Sequence, residues 1–426
     1  MKHLSIYNVY IEIDGIIWIY NNKVKSLISL SSDESKIVRT TDVRALPSDL
    51  IKKLFDNKMI YDGENETDEF INSFYEKMGE KKLNVMIMAS TACNFDCIYC
   101  YENYEPKTID LNFSDIFLHS LIKSIESFSS VFLEWFGGEP LLAKKQIIYI
   151  SNKSREICRK NKKPFVGAIT TNGYYLNYDT FSQLIDGNII FFQITLDGVQ
   201  DSHDKYRPLK NGEGSYIVIF NNLLEIKKRV SDSKIFRLTI RNNVSKENAL
   251  ACQEFKKVFN EYFGDDNRFQ LFQYPIKDWG GSGVDSIKDQ LLTEQYLPLV
   301  QSRNSRNDLF ESVSSGVCVA SKKYGFVIEP DYGIFKCNHY IQGEDRLKYQ
   351  NRIGRMDEKN GFIIDEKKNS NWIHCDIKDI CAKCEFLPNC ILRCPLSDIF
   401  PYKDCKANMA GLIKDKIVKY IGNQHR

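Results

Sequence analysis

From Leu83 to Tyr274 the hydrophobic pattern switches period at regular intervals. Short runs rich in aliphatic and aromatic residues at Leu83–Ala89, Val131–Trp135, Phe165–Thr170, Ile189–Leu196, Lys234–Ile240 and Phe269–Tyr274 read as strands. Between them, Phe113–Phe128, Leu142–Lys160, Tyr178–Ile185, Tyr216–Arg229 and Lys246–Phe259 carry apolar residues at helical spacing. Six such repeats predict parallel strands joined by right-handed crossovers. Six are too few to close an eight-stranded barrel, so the expected fold class is α/β, a partial (β/α)6 barrel over residues 81–275. Ligands in such sheets bind beyond the C-terminal strand ends, which makes the residues just after each strand the ones to inspect.

The flanks carry different patterns. Apolar runs at Ser5–Ile13 and Ile16–Tyr20 flank Asp14-Gly15, a hairpin signal. A short amphipathic helix is expected over Pro47–Asn57, a strand at Met59-Ile60-Tyr61, and a helix near Phe70–Met78 after the charged stretch Gly63–Glu69. This order suggests a small winged-helix-like domain over 1–80. Residues 276–317 are polar and bridging, with Gly280-Gly281-Ser282-Gly283 as a loop. Over 318–426 regular periodicity fades until a closing amphipathic helix at Ala407–Ile421.

Composition narrows the function. The hydrophobic fraction of 43% in 426 residues allows a sizeable core. With 58 basic and 56 acidic side chains the net charge is only +2, which gives no reason to expect nucleic acid or an anionic membrane as partner. The first apolar stretch is broken by Glu12 and Asp14, so it does not read as a signal peptide, and no apolar run is long enough to span a membrane. A cytoplasmic location is expected. In a reduced compartment the 13 cysteines are better metal ligands than disulfide partners. Three fall within eight residues near position 100 and eight between Cys318 and Cys405, while the isolated Cys158 and Cys252 sit in helix-like segments and read as small buried residues.

The first group, Cys93-Asn-Phe-Asp-Cys97-Ile-Tyr-Cys100, follows the first strand and so lies at the mouth of the expected sheet. Three thiolates this close can hold an iron–sulfur cluster, leaving one of four irons open; structural zinc, four-coordinate and closed, is the alternative. The spacing C-x3-C-x2-C after the first strand resembles the radical S-adenosylmethionine (SAM) superfamily. Other strand ends agree: Gly137-Gly138-Glu139-Pro140 after the second, Thr171-Asn172-Gly173 after the third, Gln193-Ile-Thr195-Leu-Asp197-Gly198 at the fourth, then His203-Asp-Lys-Tyr-Arg207. The resemblance implies a [4Fe-4S] cluster on Cys93, Cys97 and Cys100 whose open iron binds SAM. It also implies that Gly137, Gly138 and Glu139 face the SAM amino group, that Asn172, Gln193, Thr195 and Asp197 face its ribose and methionine parts, that Arg207 lies near its carboxylate and that Tyr99 lies near its adenine.

The second group reads Cys318, Cys337, Cys381-x2-Cys384-x5-Cys390-x3-Cys394 and Cys405. A pair of zinc ribbons would explain C-x2-C but not its continuation. The pattern resembles the SPASM extension of radical SAM enzymes in its seven-cysteine form. That implies two auxiliary [4Fe-4S] clusters, three in all: Cys381, Cys384, Cys390 and Cys405 hold one, and Cys318, Cys337 and Cys394 the other. The chain departs from the eight-cysteine relatives at Tyr324, where they have a further cysteine, and Cys375 is a candidate substitute.

SPASM enzymes mostly modify peptides or proteins. Tyr324 points away from the anaerobic sulfatase-maturating branch and toward maturases of ribosomally made peptides (RiPPs), which install thioether or carbon–carbon cross-links. Gln273-Tyr-Pro-Ile-Lys-Asp-Trp279-Gly-Gly281 also resembles the latter. On this reading the first 80 residues are RRE-like and hold the leader of a precursor peptide as an added strand, with a structural cap over the barrel as the alternative. A flavodoxin- or ferredoxin-type protein is the implied electron donor. The competing function classes are formylglycine formation in a sulfatase and a zinc-stabilised peptide-binding scaffold without catalysis. No acid or histidine stands out as a general base.

Overall fold

The computed structural model describes residues 2–102, 105–277, 283–292, 318–338, 350–373, 379–390 and 417–418. They fall into two compact units that do not follow chain order: one from 1–80, 305–322 and 371–426, the other from 81–304 and 323–370.

In the first unit, β1 (Lys2–Leu4) pairs antiparallel with β5 (Ile60–Asp62), while β2 (Asn8–Ile13), β3 (Ile16–Asn21) and β4 (Ser26–Leu30) form an antiparallel meander. Asp14 and Gly15 both take positive φ, the conformation that a two-residue hairpin turn requires. Helices α1 (Ser32–Thr40), α2 (Ser48–Asp56) and α3 (Glu66–Gly79) follow. The sequence pattern missed β4 and α1. The sign of α1 was there, since Ser31 and Glu34 close a reciprocal capping box that satisfies two otherwise orphaned N–H groups. Ile19, Ile28 and Leu30 of the meander pack with Val38, Leu50 and Leu54 of the helices. Ile11 and Tyr20 pack with Phe386 and Ile417, and Tyr7, Phe74 and Met78 with Leu387, so the N-terminal segment shares its core with C-terminal residues.

The second unit is built on a ten-stranded sheet. Its first six strands are β6 (Lys82–Ser90), β7 (Ser130–Gly137), β8 (Phe165–Thr171), β9 (Ile189–Thr195), β10 (Arg237–Val244) and β11 (Phe269–Pro275), all parallel and adjacent in chain order. Helices α4 (Leu111–Ser124), α5 (Lys144–Lys160), α6 (Tyr178–Asp186), α7 (Gln200–Tyr206), α8 (Tyr216–Arg229) and α9 (Ala249–Phe263) lie in the crossovers. Same-handed crossovers between sequential strands put these helices on one face. The burial pattern agrees. Val131, Leu133 and Trp135 of β7 are buried, and the Trp135 indole N–H donates to Ser151 Oγ of α5 at 3.1 Å. Phe132, Glu134 and Phe136 therefore face the other, inner side. Cys158 and Cys252 are buried on α5 and α9, as small apolar residues.

Two sequence expectations are corrected. The fifth strand starts at Arg237 and runs to Val244, later than Lys234–Ile240, because the polar trio Arg241-Asn242-Asn243 continues the strand rather than ending it. Past Cys318 the pattern is not featureless. β12 (Gly325–Ile328) pairs parallel with β6, and β13 (Gly333–Phe335), β14 (Arg352–Asp357) and β15 (Gly361–Ile364) extend the sheet antiparallel. Strands of three to six residues are too short for period alone to show. The expected helix Ala407–Ile421 lies outside the described residues save for 417–418. No helix among the described residues is long and apolar enough to cross a membrane.

Candidate active site

The loop carrying Cys93, Cys97 and Cys100 leaves the end of β6 and is zipped to the segment after α7. Lys210 N–H donates to the Asn94 carbonyl at 3.0 Å, Asp96 N–H to Pro208 at 2.9 Å and Ile98 N–H to Tyr206 at 3.1 Å. From the other side, Gly138 N–H donates to the Ser90 carbonyl and Glu139 N–H to that of Ala92, both at 2.9 Å. This close approach explains the two glycines. A Cβ at Gly137, whose φ is +125°, would stand 2.1 Å from the Ser90 carbonyl oxygen, and one at Gly138 2.7 Å from that of Ala92.

Glu139 has no exposed surface. Its Oε1 accepts from Leu141 N–H at 2.8 Å and Thr171 Oγ1 at 2.7 Å, and its Oε2 from Asn172 N–H at 2.8 Å. Burial raises its pKa, and these donors together with Arg207 pull it back. The carboxylate thereby ties the end of β7 to the end of β8. Asn172 continues the chain of contacts by donating to Asn94 Oδ1 in the cysteine loop at 2.8 Å.

The ends of β9 and β10 meet the loop through Tyr99. Its hydroxyl donates to Asp197 Oδ2 and accepts from Arg207 Nη1 at 2.7 Å and Asn243 Nδ2 at 3.0 Å. Asp197 Oδ1 accepts from Asn243 N–H at 2.6 Å. Behind this hub, Asp197 N–H donates to His203 Nδ1 at 3.1 Å. Burial first, and Arg207 second, drive the His203 pKa well down, so the ring is neutral and its proton sits on Nε2, where it donates to Ser215 Oγ at 3.0 Å. Ser215 in turn donates to the Arg207 carbonyl at 2.9 Å. Asp197 and Arg207 are thus two buried charges bridged by the Tyr99 hydroxyl, with a neutral histidine behind them.

Gln193 and Thr195 alternate along β9 with Phe192 and Ile194. Phe192 packs on Phe181 of α6, so the two polar residues face the inner side. Tyr99, Asp197, Arg207, Glu139, Asn172 and the cysteine loop are all brought together, as the sequence pattern expects of strand-end residues. Asn243 was missed because the fifth strand was ended four residues early, at Ile240 rather than Val244. Glu134 was missed because a lone carboxyl amid aromatic residues leaves no spacing motif; its mark is that it breaks an apolar strand.

Residues 87–250 match the family model of the radical SAM superfamily. The chain carries a radical SAM domain and is an enzyme. Over 347 residues it is 23% identical to the cysteine-type anaerobic sulfatase-maturating enzyme of Clostridium novyi, covering 74% of this chain and 88% of that one. It is 22% identical to the serine-type enzyme of Bacteroides thetaiotaomicron, covering 74% and 83%. The fold of native anSMEcpe with bound AdoMet matches with a TM-score of 0.51 at 20% identity, over 72% of this chain and 88% of that one.

A radical SAM domain implies a [4Fe-4S] cluster and SAM, and the residues present fit both. Among the described residues no three His, Cys, Asp or Glu side chains converge as the ligands of one ion would. Burial pushes the Cys97 thiol up to about 12 and the Cys100 thiol up to about 11, and raises Cys93 as well; Arg207 lowers all three. Such thiols stay protonated at neutral pH until iron favours the thiolate. The buried Arg207 Nε–H has no acceptor among the described residues, a donor that suits an anionic group beside the loop. Of the ten cysteines expected to hold clusters, Cys394 and Cys405 lie outside the described residues and Cys390 is described in its backbone alone. Cys381 and Cys384 close one turn, with Cys384 N–H donating to the Cys381 carbonyl at 3.1 Å. Asn351 shapes the backbone at Cys337, accepting its N–H at 2.8 Å and donating to its carbonyl at 2.7 Å.

Proposed function

We propose that the enzyme is a peptide maturase that removes a hydrogen atom from a ribosomally made precursor and installs a thioether or carbon–carbon cross-link. When bound, SAM and the reduced cluster on Cys93, Cys97 and Cys100 supply a 5′-deoxyadenosyl radical for that step. The chain's own part is positioning: Gly137, Gly138 and Glu139 shape the rim, Arg207 offers a cation and a spare N–H, and Gln193 and Thr195 line the inner wall. Cys318, Cys337, Cys381, Cys384, Cys390, Cys394 and Cys405 would hold two auxiliary clusters, which would supply an acceptor for the surplus electron, and a flavodoxin- or ferredoxin-type protein would be the electron donor.

The observation that carries the peptide reading is the N-terminal meander. Among the described residues β4 pairs with β3 alone, leaving an edge on which an extended leader can add as a strand. The solved anSMEcpe with bound Cp18Cys peptide, at a TM-score of 0.51, supports peptide access to this fold. The curated relatives favour a second reading, formylglycine formation in a sulfatase. Tyr324 speaks against it. The ring stands where the eight-cysteine form has a thiol, and it packs edge-on against Phe128 at 5.3 Å.

The test is anaerobic reconstitution followed by co-expression with short reading frames from the same gene neighbourhood. A brown protein with iron and sulfide for three clusters, and a precursor losing two hydrogens by mass, is the expected result. A colourless zinc protein would support the scaffold, and a sulfatase gaining formylglycine the second reading. Cys93→Ala should abolish SAM cleavage; deoxyadenosine at the wild-type rate would overturn the core assignment.

A further inference from the structure

Tyr99 is the residue between the second and third cysteines of the loop, and its hydroxyl meets three partners from three other places in the chain. Asp197 follows β9, Asn243 is the last residue but one of β10 and Arg207 follows α7. Asp197 Oδ2 accepts the tyrosine's hydrogen bond, while Oδ1 accepts from Asn243 N–H, and the Arg207 Nε–H has no acceptor among the described residues. The loop has a second, independent attachment in the backbone zipper to residues 206–210. Removing the hydroxyl therefore leaves the loop in place but uncouples it from the strand ends and from the guanidinium.

We propose that the Tyr99 hydroxyl is a positioning group that holds the Arg207 guanidinium and the Cys97–Cys100 segment in one frame, so that cluster and SAM meet in fixed register. The proposal rests on the radical SAM assignment. Its physical basis is that the hydroxyl stands between two buried charges, accepting from Arg207 and donating to Asp197. Without the hydroxyl, Asp197 loses a donor and draws the guanidinium toward itself, away from the incoming SAM. Losing a hydrogen bond to a charged group shifts an affinity by about tenfold or more.

The experiment compares wild type, Tyr99→Phe and Tyr206→Phe as reconstituted full-length proteins, with SAM itself as the probe and no peptide present. Tyr206→Phe removes a neighbouring buried hydroxyl that bonds Ser245 and Gln290 instead, and serves as the control for merely structural loss. Tyr99→Phe is expected to keep wild-type iron and sulfide, to bind SAM about tenfold more weakly, and to lose most of the SAM-induced change in the electron paramagnetic resonance of the reduced cluster. Tyr206→Phe is expected to show neither effect. Wild-type affinity and spectrum in Tyr99→Phe would overturn the proposal, as would equal losses in both variants. A wild-type protein that takes up no iron would overturn the radical SAM assignment along with it, whereas iron-loaded wild type beside an unaffected Tyr99→Phe sinks the positioning role alone.

Discussion

Glu134 sits on the inner face of β7 between Phe132 and Phe136, and no hydrogen bond or ion pair holds it among the described residues. Burial alone raises its carboxyl from the usual 4.5 to about 7. The folded chain therefore binds an extra proton between those values, and the stability it confers falls as pH rises through that window. Glu134→Gln should raise the melting temperature at pH 8, where the wild-type carboxylate is charged, and leave it nearly unchanged at pH 4. The gain at pH 8 should approach about 3 kcal/mol, which chemical denaturation at both pH values would measure. Glu139 is the opposite case, a buried carboxylate with three donors. Glu139→Ala strands the Thr171 hydroxyl and two backbone N–H groups, and should cost about 3 kcal/mol as well as SAM affinity. Isothermal titration with SAM, alongside denaturation, would show both losses.

Among the elements, the turn after β7 and the segment starting at Gly283 act on the cluster loop by backbone contact. A Cβ at Gly283 would stand 1.8 Å from the Cys100 carbonyl oxygen, so any side chain there must displace Cys100. Gly283→Ala should lower iron content at the first site while sparing the auxiliary clusters, which the ratio of iron to protein and the spectrum of the SAM-responsive cluster would show. The sequence pattern marked residues 280–283 as a loop but gave no hint of what Gly283 touches. The same limit hid Asn243. A polar run at a strand end looks like a turn until the neighbouring strand is known to pair with it.

For the whole molecule, the first 80 residues are not an independent appendage. Phe386 is 3% exposed and covers Ile11 and Tyr20, and Leu387 covers Tyr7 and Phe74. Phe386→Ala should destabilise the N-terminal module by about 3 kcal/mol, read as earlier loss of exchange protection in β2 and β3 than in β6 to β11. Residues 1–80 expressed alone should melt below the same module in the full chain. Deleting them is for that reason a poor test of leader binding, because it uncovers apolar surface beside Cys384.

The sequence by itself determined the repeating strand–helix order, the cysteine loop at the end of β6 and the polar motifs at successive strand ends, because each is written in local spacing. Tertiary structure alone decided which of those polar groups bond one another. Tyr99 and Asp197 are 98 residues apart, and Asn22 donates to the carbonyl of Glu385 363 residues away. Contacts over such separations are set by strand order and crossover geometry, and no window of sequence contains both partners. The four strands beyond Cys318 belong to the same category. Too short to carry a period, they exist because β6 offers an unpaired edge, and it is the sheet rather than their composition that makes them strands.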